Sequence, residues 1–265
     1  MNDVKKILVG DTGLIGTTLK ESINFDFSFN SKNINSFSDF NFDCYDLYLS
    51  CLPATKWLIN QNLENDIKNI NQILNIISKY KYRNIILIST IDVYCESEKH
   101  ANENDTPKIK TFNYGSNRYL FEVLVTQFIK YESIKIFRLP ALFNKKIKKN
   151  ILFDLMNNNQ IDKININSKF QWYNLDDLAD DIEKYSFNHS EEKIFNLFAE
   201  PLETKYITEL FPKHTHKIQN FGKIIEYDFT TKHNKNRYIK TKETVLSEIE
   251  RFINETRSQP FSLGH

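Results

Sequence analysis

Tyr114 and Arg118 stand four positions apart in "NYGSNRYLFE", a stretch with helical character. Residues at that spacing share one face of a helix, so the phenol and the guanidinium would be neighbours. An unperturbed tyrosine has a pKa of about 10, and an adjacent positive charge favours its ionised form. Two interpretations follow. Tyr114 either transfers protons beside a cation, or is a buried aromatic residue that precedes a basic one by chance.

Three glycines form a second pattern. The stretch "LVGDTGLIGTTL" places Gly10, Gly13 and Gly16 at intervals of three, after a predicted strand and at the start of a predicted helix. Glycines in this setting permit a tight turn, the approach of backbone to a pyrophosphate, and close packing of helix on sheet. The phosphate would lie at the positive end of the helix. The pattern favours dinucleotide binding over an ordinary strand-to-helix turn.

The residue that would meet the adenosine ribose is not acidic. An acidic residue about twenty positions after the first glycine usually binds the ribose hydroxyls. Asn30 takes that position, at the end of "FDFSFN", and Ser31 and Lys32 follow it. A neutral amide beside a hydroxyl and an ammonium suits a 2′-phosphate better than a carboxylate would. The cofactor is therefore NADP or NAD, with NADP favoured.

Alternating strand and helix patterns must position these residues. Apolar β-branched runs predict strands, and apolar residues at helical spacing predict helices. The run "NIILIST" is apolar on both sides, as strands buried in a parallel sheet are. The alternation predicts an α/β fold with a doubly wound parallel sheet. The predicted strands are "KKILVG", "DLYLSCL", "NIILIST", "IKIFRLPAL" and "KIFNLF", and the predicted helices span 14–22, 62–81, 113–131, 151–157 and 241–254.

The pattern loosens after residue 143, which suggests two regions. We predict a dinucleotide-binding domain over 1–143 and a smaller substrate-binding region over 144–265. A strand near 193–198 is expected to return to the first domain.

Composition narrows the classes of function. The chain has 265 residues, and 35 basic against 34 acidic side chains give a formal net charge of +1. That balance provides no field to gather nucleic acid or an anionic membrane, so we predict neither as a partner. No apolar run reaches membrane-spanning length, and we expect no export signal.

The cysteines and histidines predict no metal site. Cys44, Cys51 and Cys95 have no CxxC spacing, and an odd number of cysteines fits a reducing cytoplasm. His214 and His216 lie two positions apart in a polar loop without a cysteine partner. A zinc site needs three or four ligands, so we predict none here.

The order of the motifs resembles that of a known family. The glycine spacing, "ISTIDVY" and a tyrosine four positions before a basic residue are similar to the NAD-dependent epimerase/dehydratase family, the extended short-chain dehydrogenases/reductases. The segments "DLYLSCLPA", "RLPALF" and "YNLDDLADDI" resemble later landmarks of that family in the same order. The resemblance covers nearly the whole chain.

The resemblance implies a Rossmann domain with a small C-terminal substrate lobe, and nucleotide-diphosphate sugars as substrates. Carried over by position, Tyr114 is the acid/base residue, Thr90 hydrogen-bonds the reacting oxygen, and Arg118 stands where the family has lysine. In the family's reaction the phenolate takes a proton from a sugar hydroxyl as hydride leaves the sugar, and the phenol donates it in reduction. Further cofactor contacts are implied at Leu14, Ile15, Cys51, Leu52, Pro53, Ser89, Pro140 and Leu142.

Several positions depart from the family pattern. Arg118 keeps the charge of the lysine but replaces a compact ammonium with a planar fork. Asp92 falls where sugar 4,6-dehydratases carry a catalytic carboxylate, but Ile91 occupies the neighbouring acidic position, which disfavours a dehydratase. Asp92 is then either a single base or a solvated carboxylate or helix cap. Asp66 stands where the family often has asparagine.

Two functions remain open. The first is an NAD(P)-dependent epimerase or 4-keto reductase of a nucleotide-linked sugar. The second is a dinucleotide-binding protein of the same fold with reduced or no catalysis, because arginine replaces the active-site lysine. Since the family commonly dimerises through two helices, the resemblance also implies a homodimer through 62–81 and 113–131, with Leu120, Val123, Leu124 and Phe128 in the interface.

Overall fold

The computed structural model describes residues 4–188, 191–218 and 220–258, with the side chains of 187, 188, 215 and 216 left out. Contacts group the chain into two units. The first comprises Met1–Leu139 and Asp176–Asn196, and the second comprises Pro140–Leu175 and Leu197–His265. The domain boundary after residue 143 stays a prediction.

The first unit is built on a parallel sheet. In the described residues the strands are β1 (Lys6–Val9), β2 (Phe27–Phe29), β3 (Asp46–Leu49), β4 (Lys81–Thr90), β5 (Lys130–Leu139), β6 (Ala141–Phe143), β7 (Lys169–Phe170), β8 (Trp172–Asn174), β9 (Ile194–Asn196) and β10 (Leu202–Glu203). Six of them form one sheet in the order β2-β1-β3-β4-β5-β9, and every pairing in it is parallel.

Helices cover this sheet. The α-helices of the described chain are α1 (Leu14–Ser22), α2 (Lys56–Gln61), α3 (Leu63–Ile77), α4 (Tyr114–Phe128), α5 (Ile151–Asn157), α6 (Leu178–Asn188), α7 (Thr204–Glu209) and α8 (Lys242–Ser258). Helix α1 packs with α6, and α3 packs with α4. The predicted doubly wound α/β fold is confirmed. None of the helices in the described ranges combines the length and the apolar composition that a bilayer crossing requires.

The strand order reverses next to β1. The chain leaves β1 for β2 on one side and returns to β3 on the other, so the carboxyl ends of β1 and β3 open a crevice at the switch point. Ligands of open α/β sheets bind in such a crevice. The glycine turn follows β1 directly, and the turn after β3 begins at Ser50.

Two predicted helices are too long at their C-terminal ends. The helix predicted over 62–81 is α3, which ends at Ile77, and the helix predicted over 113–131 is α4, which ends at Phe128. Their last predicted residues belong to strands instead, because Lys81 pairs with Lys130 at the start of β4 and β5. Pairing between distant segments overrides the local helical pattern there.

Other elements also differ from the sequence prediction. Helix α2 is a short element that the sequence patterns do not predict, and "IKIFRLPAL" is divided at Pro140. Proline has no N–H for a sheet hydrogen bond, so β5 ends at Leu139 and β6 begins beyond the proline. Strand β6 pairs with β8 in the second unit rather than with the main sheet.

Among its described residues, the second unit has two small sheets and the α-helices α5, α7 and α8. Strands β6 and β8 pair in parallel, and β7 and β10 pair antiparallel. Helix α8 packs against β8 and α7. Trp172 and Tyr173 of β8 are buried in this unit, at 1% and 2% exposure, and so belong to its core.

A buried ion pair forms the centre of a hydrogen-bond network that connects several elements of the first unit. Glu122 of α4 and Arg138 of β5 are 3% and 1% exposed, and their nearest N–O distance is 2.6 Å. Ser89 of β4 donates to Glu122. Arg138 donates to the Tyr94 hydroxyl at 2.7 Å, and the Asn196 amide of β9 donates to the same oxygen at 3.2 Å. One network therefore joins a helix to three strands.

We expect Glu122→Gln to destabilise the protein strongly. The substitution leaves the Arg138 guanidinium buried without a counter-charge, which typically costs about 3–5 kcal/mol. Urea denaturation followed by circular dichroism measures the change in the free energy of unfolding.

A surface pair provides the matched control. Lys81 and Glu132 form an ion pair at 3.1 Å in which both side chains are 54% exposed. Glu132→Gln makes the same chemical change there and should cost about 0–1 kcal/mol. Equal losses for the two variants would show that the buried network does not carry this stability.

Candidate functional site

The glycine turn after β1 is sterically constrained at two of its three glycines. Gly10 has φ +103°, and a Cβ there would lie 2.3 Å from the Ser50 carbonyl oxygen. A Cβ on Gly16 would lie 2.1 Å from the Gly10 carbonyl oxygen. These two glycines are required by the backbone itself, because Gly10 adopts a left-handed φ and Gly16 brings α1 onto the turn.

Gly13 is different, because the protein leaves space beside it. A Cβ there would meet only the Gly10 carbonyl oxygen, at 3.6 Å, which is ordinary contact. Gly13 is the N-cap of α1, where no side chain caps the helix and no acidic residue stands in the first turn. The free N–H groups and the helix dipole favour an anion at this end. The turn therefore fits the pyrophosphate of a dinucleotide.

The turn after β2 holds Asn30 in a fixed orientation. Its side-chain Oδ1 accepts from the backbone N–H of Lys32 at 2.9 Å. Its Nδ2 donates to Asp11 Oδ1 at 2.9 Å, and Asp11 belongs to the glycine turn. Asp11 Oδ2 lies 3.4 Å from the Lys20 ammonium. Ser31 and Lys32 are exposed beside this contact.

The start of α4 is defined by a capping box. Asn113 accepts from the backbone N–H of Ser116 at 3.0 Å, and Ser116 Oγ accepts from the backbone N–H of Asn113 at 2.8 Å. Asn60 of α2 accepts the Tyr114 backbone N–H at 2.7 Å. These contacts satisfy N–H groups that the first helical turn would otherwise leave free.

Gly115 allows α4 to lie directly against the turn that follows β4. A Cβ on Gly115 would lie 1.7 Å from the Asp92 carbonyl oxygen, so no other residue fits without a backbone shift. Thr90 ends β4, and a 3₁₀ turn follows over Ile91–Val93. The close approach brings Tyr114 next to the strand end that carries Thr90.

The structure brings Tyr114, Thr90 and Arg118 together. The Arg118 guanidinium carbon lies 4.6 Å from the centre of the Tyr114 ring, within the range of a cation–π contact. Burial raises the pKa of the Tyr114 phenol, and the nearby charge of Asp92 raises it further. The positive charge of Arg118 and hydrogen bonds with Arg118 and Thr90 lower the pKa of the phenol but do not offset burial. The phenol is therefore neutral at physiological pH.

The Arg118 guanidinium is shared with a carboxylate. Arg118 donates to both carboxylate oxygens of Asp66 on α3, at 2.9 and 3.0 Å, and to the Pro53 carbonyl at 2.7 Å. The Asn117 amide donates to the same carboxylate at 2.9 Å. Arg118 and Asp66 are 6% and 3% exposed. Because Asp66 compensates the charge, the guanidinium stabilises a Tyr114 phenolate less than a free cation would.

Asp92 is paired with a cation that the sequence did not predict. Its carboxylate lies 2.7 Å from the ammonium of Lys56, at the start of α2. Lys56 is 51% exposed and Asp92 17% exposed. The pair joins α2 to the turn after β4. A role for Asp92 as a base stays a prediction.

The other predicted cofactor residues lie in both units. Leu14 and Ile15 are in the first turn of α1, and Cys51, Leu52 and Pro53 follow β3 at the switch point. Burial raises the pKa of the Cys51 thiol to about 12, so this thiol is neutral. Ser89 lies on β4 and donates to Glu122. Pro140 and Leu142 belong to the second unit, and their contact with a cofactor stays a prediction.

No metal centre is evident within the described part of the chain. Over residues 4–188, 191–218 and 220–258, no three His, Cys, Asp or Glu side chains stand close enough to hold an ion. His214 stacks on Phe211. The side chain of His216 lies outside the described residues.

Sequence reasoning missed Asp11, Gly115, Lys56 and Asn60. Gly115 carried a signal, because a glycine in a helix interior costs stability and so indicates a close contact. Asp11 lies inside the glycine motif, which assigns a task only to its glycines. Lys56 and Asn60 belong to the unpredicted helix α2, and their contacts with Asp92 and Tyr114 join positions far apart in sequence.

Solved structures share this fold. The protein MoeE5 in complex with UDP-glucose and NAD has a TM-score of 0.71 and 12% identity, over 96% of this chain and 98% of that chain. UDP-glucuronic acid 4-epimerase from Bacillus cereus has a TM-score of 0.71 and 15% identity, over 96% and 100%. dTDP-4-dehydrorhamnose reductase from Bacillus anthracis in complex with NADP has a TM-score of 0.68 and 15% identity, over 96% and 99%.

No protein-family model matches the sequence, and no curated protein sequence matches it. At 12–15% identity the three structures above establish the fold alone. The resemblance stated from the sequence motifs is confirmed at the level of the fold: the chain shares the Rossmann-type α/β fold of these three structures.

We expect Gly13→Ala to weaken dinucleotide binding without disturbing the fold. The added methyl has space in the protein, but it would occupy the approach to the helix N-terminus. Titration with NADH measures binding, and a thermal melt measures stability. Gly16→Ala is the contrasting variant, because its methyl would meet backbone and should lower the melting temperature. Unchanged NADH binding by a folded Gly13→Ala variant would contradict the assignment of the pyrophosphate to this turn.

Proposed function

We propose that the protein is an NAD(P)-dependent oxidoreductase or epimerase of nucleotide-linked sugars, with reduction of a 4-keto sugar as the best supported reaction. The observation that carries this proposal is the position of Tyr114, whose ring lies under the Arg118 guanidinium while the start of α4 packs against the turn that follows Thr90 at the end of β4. The solved structures with this fold include two 4-epimerases of UDP-sugars and reductases of a dTDP-sugar.

The protonation state of Tyr114 favours reduction. A reductase needs an acid that donates a proton to the carbonyl oxygen, whereas the first step of an epimerase needs a base. Burial and Asp92 hold the pKa of the phenol above its usual value, and Asp66 compensates Arg118. Tyr114 therefore holds its proton at the hydroxyl oxygen until a substrate oxygen accepts it. Thr90 orients that oxygen through its own hydroxyl.

The glycine turn and its neighbours would bind the cofactor. Gly13 and the N-terminus of α1 would hold the pyrophosphate, and the turns after β2 and β3 would contact the adenosine and the nicotinamide ribose. When bound, the nicotinamide supplies or accepts hydride at a substrate carbon. The protein's own contribution is to place the Tyr114 proton at the oxygen of that same carbon.

A second function is favoured by the Arg118–Asp66 pair. A guanidinium held by a carboxylate and by the Pro53 carbonyl has few donors left for a nicotinamide ribose. If those contacts persist in the complex, the protein binds a dinucleotide without turnover. The kinetic test below separates this binding protein from the reductase.

We also propose a homodimer in the cytoplasm. Helices α3 and α4 pack together in the first unit, and Leu120, Val123 and Leu124 along α4 are only partly buried in the single chain. Phe128 is 64% exposed. A second copy packed on this face would cover these side chains. Sedimentation equilibrium tests the dimer, and a single monomeric species throughout a concentration series would contradict it.

Tyr114→Phe should strongly lower the turnover rate and leave cofactor binding intact. The substitution removes the proton donor but keeps the ring under the Arg118 guanidinium. General acid catalysis contributes on the order of 10²–10⁴-fold to a rate, so we expect a loss in that range. The assay follows the absorbance of NADH or NADPH with dTDP-4-dehydrorhamnose as the first substrate, and epimerisation of UDP-glucose is followed by product analysis.

The pH profile provides an independent check. Because the phenol's pKa is raised, it stays protonated through neutral and mildly alkaline pH, and the reduction rate should not fall over that range.

A wild-type protein that binds the cofactor but turns over none of a panel of nucleotide sugars would favour the binding protein. Wild-type rates in Tyr114→Phe would exclude Tyr114 as the acid.

A further inference from the structure

A carboxylate lies at the end of the site where the adenosine ribose would bind. It comes from the glycine turn, because the usual acidic residue after β2 is missing. Asn30 directly follows β2, where the acidic residue is expected, and its amide donates to Asp11 Oδ1 at 2.9 Å. Asp11 comes from the glycine turn, and its side chain is 12% exposed. The carboxylate thus lies one hydrogen bond from the position at which an acidic residue meets the ribose.

We infer that Asp11 takes over the part of the missing acidic residue and makes the site selective for NAD(H) over NADP(H). This inference rests on the dinucleotide site of the proposed function. It reverses the preference for NADP that the neutral side chain of Asn30 suggested from the sequence.

Charge is the first reason. The 2′-phosphate of NADP carries close to two negative charges, and a phosphate at Asn30 would approach the Asp11 carboxylate. Like charges brought together in a partly buried site are strongly unfavourable. The 2′- and 3′-hydroxyls of NAD instead donate hydrogen bonds. Asp11 has lone pairs left for them beyond its contacts with Asn30 and Lys20.

The orientation of Asn30 is the second reason. Its Oδ1 accepts from the Lys32 backbone N–H, which turns its Nδ2 towards Asp11. A phosphate would need that amide as a donor, and recruiting it would weaken both contacts. A ribose requires no such rearrangement, because its hydroxyls can donate to the Asp11 carboxylate while both Asn30 contacts stay in place.

Two lysines oppose this preference without cancelling it. Lys20 lies 3.4 Å from Asp11 Oδ2, but its side chain is 43% exposed, and Lys32 is exposed in the turn after β2. Exposed ammonium groups are well hydrated, and their interactions with a phosphate are screened by water and salt. The carboxylate is the more buried charge and makes the direct contact with Asn30.

Binding measurements test the inference without any need for turnover. NADH and NADPH are titrated separately into wild-type protein, Asp11→Asn and Asp39→Asn, with binding followed by nicotinamide fluorescence. Asp11→Asn removes the charge and keeps an oxygen that can accept the Asn30 amide. Asp39→Asn removes one charge from an exposed position and serves as the control. A thermal melt shows that each variant is folded.

We expect wild-type protein to bind NADH at least about tenfold more tightly than NADPH, and Asp11→Asn to lose most of that ratio. Asp39→Asn should keep the wild-type ratio. Equal affinities in wild type, a preference for NADPH, or an unchanged ratio in folded Asp11→Asn would each overturn the inference.

The outcomes for the inference and for the proposed function are separable. Selective NADH binding without turnover of any nucleotide sugar would support Asp11 as the selecting residue and reject the reductase. Turnover with equal use of NADH and NADPH would support the reductase and reject Asp11 as the selecting residue. Absence of binding by either cofactor would overturn both.

Discussion

The charge balance beside Tyr114 decides what the site can do. A buried phenol is neutral unless a cation favours its ionised form, and the cation here is Arg118. The guanidinium cannot be buried alone, because an uncompensated charge in the interior is costly, and Asp66 on α3 provides the counter-charge. Asp66 allows Arg118 to be buried, but it also offsets the positive charge of Arg118. Arg118 therefore lowers the pKa of the Tyr114 phenol less than an unpaired cation would. The pKa of the Tyr114 phenol consequently stays above its usual value, and the phenol keeps its proton.

Two glycines allow backbone segments near Tyr114 and the glycine turn to approach each other closely. Gly10 meets the Ser50 carbonyl at the switch point, and Gly115 meets the Asp92 carbonyl at the start of α4. The first brings the turn after β1 against the turn after β3, and the second brings the Tyr114 helix against the end of β4. A side chain at either position would separate these elements. The placement of Tyr114 on α4 beside Thr90 on β4 therefore depends on glycines, which have no side chain to contribute to the site.

Local patterns in the sequence predicted the fold and the placement of Tyr114 and Arg118 on one helix face, whereas Thr90 was assigned to the same site only by the family resemblance. The parallel sheet followed from strands that are apolar on both sides, and the glycine turn from its place between a strand and a helix. Helix ends were less predictable, because they depend on pairing between distant segments. Lys81 and Lys130 continue a local helical pattern but pair with each other at the start of β4 and β5. The Asp11–Asn30 and Asp66–Arg118 contacts were beyond local patterns for the same reason, since each joins residues 19 or 52 positions apart.

The two buried ion pairs of α4 are related by one helical turn. Arg118 faces Asp66 on α3, and Glu122 faces Arg138 on β5, so the helix presents a positive charge to a neighbouring helix and a negative charge to the sheet. Each carboxylate also accepts a further hydrogen bond. Asn117 donates to Asp66, and Ser89 donates to Glu122. Buried pairs contribute little net stability, but a misplaced member leaves a charge unpaired. The rotation of α4 about its axis is therefore tightly specified. That rotation directs the side chain of Tyr114, at the first position of the helix, towards Thr90.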